Sequence, residues 1–245
     1  QRIGLAAPGP THPQAVGKRM SVLSSVLIAL GVVGALGALA AREHRLVRAA
    51  RHSLLMNCAK GLDGAQSLRG HDGFPSLVGG HRGRRVHVEL IPDTMVLRRL
   101  PQLWVSVTLL DTLTDIPSLA VLARPAGYEF YSLTSRLTYS LDPPAALPQE
   151  VLIRGSDARS EQLLRHLTSQ LAAVMADPRV KEIAITCKGL RIIAQAGEGR
   201  RGEHLLLRQA VFDRAEVSAG DFAKLIEDLE LLRSAIDERQ QKRAA

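Results

Sequence analysis

RRVHVELI, residues 84–91, is the stretch that decides the fold. Val86, Val88 and Leu90 alternate with Arg85, His87 and Glu89, the period of two expected of a strand with one dry and one wet face. His81, Arg82 and Gly83 just before it read as a hairpin turn. Working outward, LWVSVTLL (103–110) and SLAVLAR (118–124) read as a second and a third strand, and 151–154 as a short one. Residues 182–187 and 190–196 flank Lys188-Gly189 and predict a tight hairpin, with a further strand over 205–212. Residues 128–141 alternate polar and aromatic side chains and suit a hairpin or a short helix. Residues 142–148 carry three prolines and mark a corner. Upstream, 70–83 is rich in glycine and reads as loop, with a brief strand at 76–78.

Two segments carry the helical period instead. Leu163, Leu164, Leu167, Leu171 and Val174 put one apolar stripe on a helix over 157–176, capped by Ser156 or Asp157 and stopped at Asp177-Pro178. Phe222, Leu225, Ile226, Leu229, Leu232 and Ile236 do the same for a last helix, from Ser218 or Asp221 to about Arg239. The expected class is α+β: a mainly antiparallel sheet and two amphipathic helices.

The N-terminal quarter is different. SVLSSVLIALGVVGALGALAA, residues 21–41, holds no charge and no proline, and at about 1.5 Å per residue would be roughly 31 Å long. That length predicts a transmembrane helix. It exceeds the apolar core of a signal peptide, about 7–15 residues, so an uncleaved anchor is expected. Gly31, Gly34, Ala35, Gly37, Ala38 and Ala41 recur at spacings of three and four, a small-residue stripe suited to close helix packing. Arg42, Arg45, Arg48 and Arg51 follow and would lie among anionic lipid headgroups. Four arginines after the run against Arg2, Lys18 and Arg19 before it predict an outer N-terminus and an inner, cytoplasmic C-terminal domain. The expected organisation is an extended tail over 1–20, the span, a helical extension over 42–60, a soluble α+β domain over 61–240 and a basic tail over 241–245.

Gly79-Gly80-His81-Arg82-Gly83-Arg84-Arg85-Val86, with the strands, helix, Lys-Gly hairpin and Leu-rich last helix that follow, resembles a class of bacterial membrane-linked α+β domains. Their shared feature is an opening G-x-x-x-G-R-x-V, and the likeness covers about residues 77–236. Members have no assigned chemistry, so the resemblance implies no functional residue here.

Composition narrows function. The net charge of +8 favours an anionic neighbour, and only 3% aromatics leave no stacking surface for single-stranded nucleic acid. Cys58 and Cys187 stand far apart and outside any C-x-x-C pair, so neither a disulfide framework nor a zinc site is expected. The apolar run has no His to ligate a pigment or haem. Gly197-Glu198-Gly199-Arg200-Arg201-Gly202 fits G-x-G-x-x-G, but strand-like HLLLRQAVF follows it, so a solvated hairpin loop is expected rather than a dinucleotide site. Arg82, Arg84 and Arg85 are candidate anion contacts. His81, His87 and Asp93 are the best metal grouping, and Asp111 with Asp115 the best acid pair, though turn residues are the plainer reading.

The expected function is therefore non-catalytic, with no cofactor and no metal. It is a single-pass accessory subunit that packs on and stabilises a larger bacterial membrane complex. Its partners would be other transmembrane subunits and anionic lipid, not nucleic acid. A short outer tail, one span and a large inner domain are similar in layout to the H subunit of purple-bacterial reaction centres. That points to an energy-converting host, photosynthetic (reaction centre or light-harvesting) or respiratory. The alternatives are a membrane-tethered module binding a ligand or phosphate, or a sensor of anionic lipid surfaces.

Overall fold

The computed structural model describes residues 14–69, 73–94, 100–199, 212 and 217–244. The chain divides into two compact units, Gln1–Ala49 and Ala50–Ala245.

The first unit is built on helix α1 (Gln14–His52). Residues 24–39 are exposed throughout, and a Cβ built on Gly31, Gly34 or Gly37 would meet nothing within 4 Å. Ala35, Ala38 and Ala41 are exposed with them, as are Arg42 and Arg45. Among the described residues no helix is long and apolar enough to cross a membrane. This overturns the expected span over 21–41. The single-pass inner-membrane placement goes with it, and so does the photosynthetic or respiratory host, which rested on that layout.

The second unit corrects the rest of the expected architecture: it holds a mostly antiparallel nine-stranded sheet, and four α-helices lie among the described residues of the chain. The helix does not run unbroken to Ala59; after His52 the chain turns, and a short α2 (Met56–Lys60) ends at Gly61. The strands are β1 (Asp63–Arg69), β2 (Pro75–His81), β3 (Arg84–Asp93), β4 (Gln102–Leu110), β5 (Leu119–Ala123), β6 (Tyr139–Leu141), β7 (Val151–Gly155), β8 (Val180–Thr186) and β9 (Gly189–Glu198). Their order in the sheet is β1-β2-β3-β4-β9-β8-β5-β7-β6. Helices α3 (Arg159–Met175) and α4 (Ala219–Ala244) complete the unit.

Alternation explains the layers. Val86, Val88 and Leu90 of β3, Leu103, Val105, Val107 and Leu109 of β4, and Leu190 and Ile192 of β9 are buried in one cluster. Leu163, Leu167 and Leu171 of α3 and Leu229, Leu232 and Ile236 of α4 belong to the same cluster, so the helices cover this face. Each such side chain contributes about 2 kcal/mol by leaving water. The His166 ring pins α3 to α4 through a 2.9 Å hydrogen bond to the Ala235 carbonyl. Ser218 caps α4, accepting from the Asp221 N–H at 3.0 Å while its hydroxyl donates to the Asp221 carboxylate at 2.7 Å. Asp157 accepts from the Arg159 N–H at 2.8 Å at the start of α3.

Two turns demand their residues. Arg82 and Gly83, at φ 48° and 78°, make the two-residue β2–β3 turn. Gly189 has φ 133°, and a Cβ there would lie 2.1 Å from the Leu109 carbonyl oxygen. It opens β9, so the β8–β9 turn is Cys187-Lys188, one residue earlier than expected.

Candidate functional site

The other face of the sheet carries the remaining members of the same alternation: His87, Glu89 and Ile91 of β3, Trp104, Ser106 and Thr108 of β4, and Arg191 and Ile193 of β9. No helix covers it. The segment 125–137 crosses it instead, a strap that ends in a 3-10 turn (Leu133–Arg136).

A bulge in β8 makes the strap possible. Val180 pairs with Ala194 and Glu182 with Ile193, so one extra residue separates them. Val180 joins the helix-side core, whereas Glu182 faces the strap. A regular strand would have sent both to one face. Glu182, fully buried, accepts from the Ser132 hydroxyl at 2.6 Å, the Leu133 N–H at 2.7 Å and the Arg191 guanidinium at 2.6 Å. Arg191 also donates to the Tyr131 carbonyl at 3.1 Å. Lys181, the bulge residue, donates to the Ala123 and Arg124 carbonyls and, at 2.8 Å, to Glu129. Both side chains of that pair are only 6% exposed. Burial disfavours charge on Glu129, but the Lys181 ammonium and the Ala126 N–H outweigh it and hold the carboxyl below its ordinary range. The strap is thus tied down by two buried ion pairs from adjacent residues.

Beneath and beside it are polar atoms with nothing to bond. The Trp104 indole N–H, the Ser106 hydroxyl and the Tyr131 hydroxyl are buried without a hydrogen-bond partner among the described residues. Ser106 is 0% and Trp104 9% exposed. Tyr131 packs on Trp104 with ring centroids 5.9 Å apart. Burial raises its phenol well above the ordinary value, helped by the charges of Asp93, Glu129 and Glu182. Orphaned buried groups are costly and sparse in native proteins, about 1–3 kcal/mol each.

Next to this polar floor the face opens into a cleft of 870 Å³. Phe74, Ile91, Pro92, Leu110, Phe130 and Leu133 supply its apolar walls, and Ser76, Thr108, Tyr131 and Ser132 its hydroxyls. Glu89, Arg136, Lys188 and Arg191 are its charges. Aromatic walls with a few convergent polar groups are what a small-molecule site needs.

The residues singled out in the sequence lie elsewhere. Arg84 is held by Glu230 at 3.0 Å and Asp111 at 3.4 Å, and Asp111 also accepts from Arg233 at 2.6 Å. Arg82 lies at the exposed β2–β3 turn and Arg85 is exposed beside it. Arg51 stacks over Phe74, 4.4 Å from the ring centroid. The Arg48 side chain lies outside the described residues. Asp115 pairs with Arg159 at 2.7 Å, whereas Asp111 pairs with Arg84 and Arg233. His87 and Asp93 are six residues apart on one strand, about 20 Å, and His81 is at the far hairpin end. Among the described residues no cluster of His, Cys, Asp or Glu could hold a metal. Cys58 is buried and Cys187 exposed, with no disulfide between them. Gly197 and Glu198 close β9, and Gly199 donates to the Pro101 carbonyl at 2.7 Å. The other half of that motif, and the strand expected over 205–212 apart from Phe212, lie outside the described residues. Phe212 bridges Gly199.

No known family profile matches the chain, and no curated protein matches it. Among solved structures it is similar to the mycobacterial trehalose monomycolate transport factor A, TtfA, at 5% identity and a TM-score of 0.36, over 66% of this chain and 70% of that one. A likeness at that level carries neither fold nor function across.

Proposed function

We propose that this protein acts by binding rather than by catalysis, holding an elongated small molecule in the cleft on the strap side of the sheet. The observation that carries the reading is the 870 Å³ cleft beside buried, unpartnered polar atoms. Of the polar groups there, Ser132, Glu182 and Arg191 are bound to one another, and that triad anchors the strap. Glu182 is saturated by three donors and is poorly placed to take a proton from a substrate. The test is native mass spectrometry of the purified full chain, with saturation by an environment-sensitive apolar dye. A retained or dye-displacing molecule that perturbs the emission of Trp104, the one tryptophan in the chain, supports the reading. A chain that takes up nothing saturably refutes it.

A second observation supports a wider role as an accessory component of a larger assembly. Residues 24–39 form a helical arm whose Leu, Val and Ile side chains are all exposed, several by more than 60%. So much contiguous apolar surface marks a protein-binding element. Size-exclusion chromatography of gently extracted full chain tests this: a stoichiometric larger particle is expected, and a lone monomer contradicts it.

A further inference from the structure

The charges around the cleft are distributed unevenly, and their distribution says more about the ligand than the volume does. The cleft runs from Phe74, Pro75 and Ser76 on β2, across β3, β4 and β9, to Ala184 and Thr186 on β8. Five neighbouring strands at about 4.8 Å spacing make a trough roughly 19 Å long. At the β2–β3 end the walls Phe74, Pro75, Ile91 and Pro92 are apolar, Glu89 of β3 stands opposite Ser76 of β2, and the Arg51 guanidinium stacks on Phe74. At the β8–β9 end stand Arg136, from the 3-10 turn, and Lys188, from the hairpin turn. Both are exposed, and among the described residues neither is engaged by an acidic side chain. Arg191 nearby is already committed to Glu182 and to the Tyr131 carbonyl. Phe130, 58% exposed, stands at the mouth.

We infer that the cleft takes a single-chain amphiphile with one anionic head, a long-chain carboxylate or phosphate, its head on Arg136 and Lys188 and its chain along the apolar β2–β3 end. This rests on the binding reading above and deepens it. Two free cations at one end supply charge-assisted bonds to an anion. The acid among the lining residues, Glu89, lies on β3 at the β2–β3 end, away from Arg136 and Lys188, and disfavours an anionic head there. It would repel a second negative charge along the ligand, which argues against nucleic acid and acidic peptides and leaves one terminal anion as the fitting arrangement. Ser76 and Thr108 beside it stay compatible with a thin chain passing over them.

The experiment is a titration of the full chain, followed by Trp104 emission and by calorimetry. The probes are sodium palmitate, 1-palmitoyl lysophosphatidic acid and hexadecanol, each kept below self-association. The proteins are wild type, R136Q, K188Q and E89Q. Palmitate or the lysophosphatidic acid should bind at one site, and hexadecanol at least ten-fold more weakly. R136Q and K188Q should each weaken the acids about ten-fold, the worth of one charge-assisted hydrogen bond, and leave hexadecanol unchanged. E89Q should bind the acids no worse than wild type, which separates loss of a head contact from loss of fold. Whichever acid binds more tightly identifies carboxylate or phosphate as the head. If hexadecanol binds as well as the acids and neither cation variant matters, the anionic head is wrong while the cleft reading stands. A calorimetric signal without any change in Trp104 emission would instead place the probe on residues 24–39 and overturn the cleft reading. If none of the three probes and no apolar dye is taken up saturably, both readings fail.

Discussion

The two faces of one sheet solve the same burial problem in opposite ways. The helix-covered face is dry and close-packed, with Val86, Val107, Leu167, Leu190 and Leu229 fully buried among other apolar side chains. The strap-covered face has a thin apolar patch (Trp104, Ala120, Leu122, Ala184, Ile193) and is held mainly by the Lys181–Glu129 and Arg191–Glu182 pairs. Apolar packing is strong and tolerates no ligand. Ion-paired closure contributes less, because desolvation offsets much of the attraction, and it leaves room for a cleft. The face with the weaker cover is the one suited to binding.

That contrast can be broken from either side. The largest effect is expected on the dry face: Leu167→Ala should cost about 3 kcal/mol, read as a shift in urea midpoint with unchanged slope. On the strap face, Glu182→Gln should cost about 2 kcal/mol, below a fully buried pair because Arg191 keeps 24% exposure. Its effect should appear mainly as faster hydrogen exchange in residues 125–137. Lys181→Met alone leaves Glu129 buried without its cation and should also destabilise, whereas Lys181→Met with Glu129→Gln should recover most of the loss in a double-mutant cycle.

Acid should loosen the strap. Glu129 has a lowered value in the fold, so its contribution is fully present above its ordinary value of 4.5 and is lost as pH falls through the lowered one. Trp104 emission should report release of Tyr131 on that acid side, before global unfolding, and the step should vanish in the double variant. The smallest effect sharpens the comparison most. Ser106→Ala removes a buried hydroxyl that has no partner among the described residues, so stability should change by less than about 0.5 kcal/mol or rise slightly. A loss like that of Leu167→Ala would mean the hydroxyl is bonded after all.

Legibility in the sequence followed the same divide. The period of two in β3 and β4 and the leucine stripes of α3 and α4 were readable because each element has one continuous apolar face. The first strand, DGAQSLR, was missed because its edge position needs no apolar set, and β2 was read too short because Gly79 and Gly80 mimic a loop. The span over 21–41 was read from composition alone and does not survive among the described residues. The strap face was nearly invisible. Its key acid, Glu182, reaches that side only through a bulge, and the strap's partners lie about 50 residues away in sequence, as with Ser132 and Glu182. No local spacing records such pairs. Charged residues inside the strand-like run VKEIAIT, at Lys181 and Glu182, were the one available signal, since strand interiors rarely bury unpaired charge.

The central claim is that the strap face, not the helix face, receives a ligand. Hydrogen exchange on the full chain with and without saturating anilinonaphthalene sulfonate tests it most directly. Added protection in residues 125–137 and 186–191, with α3 and α4 unchanged, is the predicted result. Protection confined to residues 24–39, or none anywhere, would contradict it.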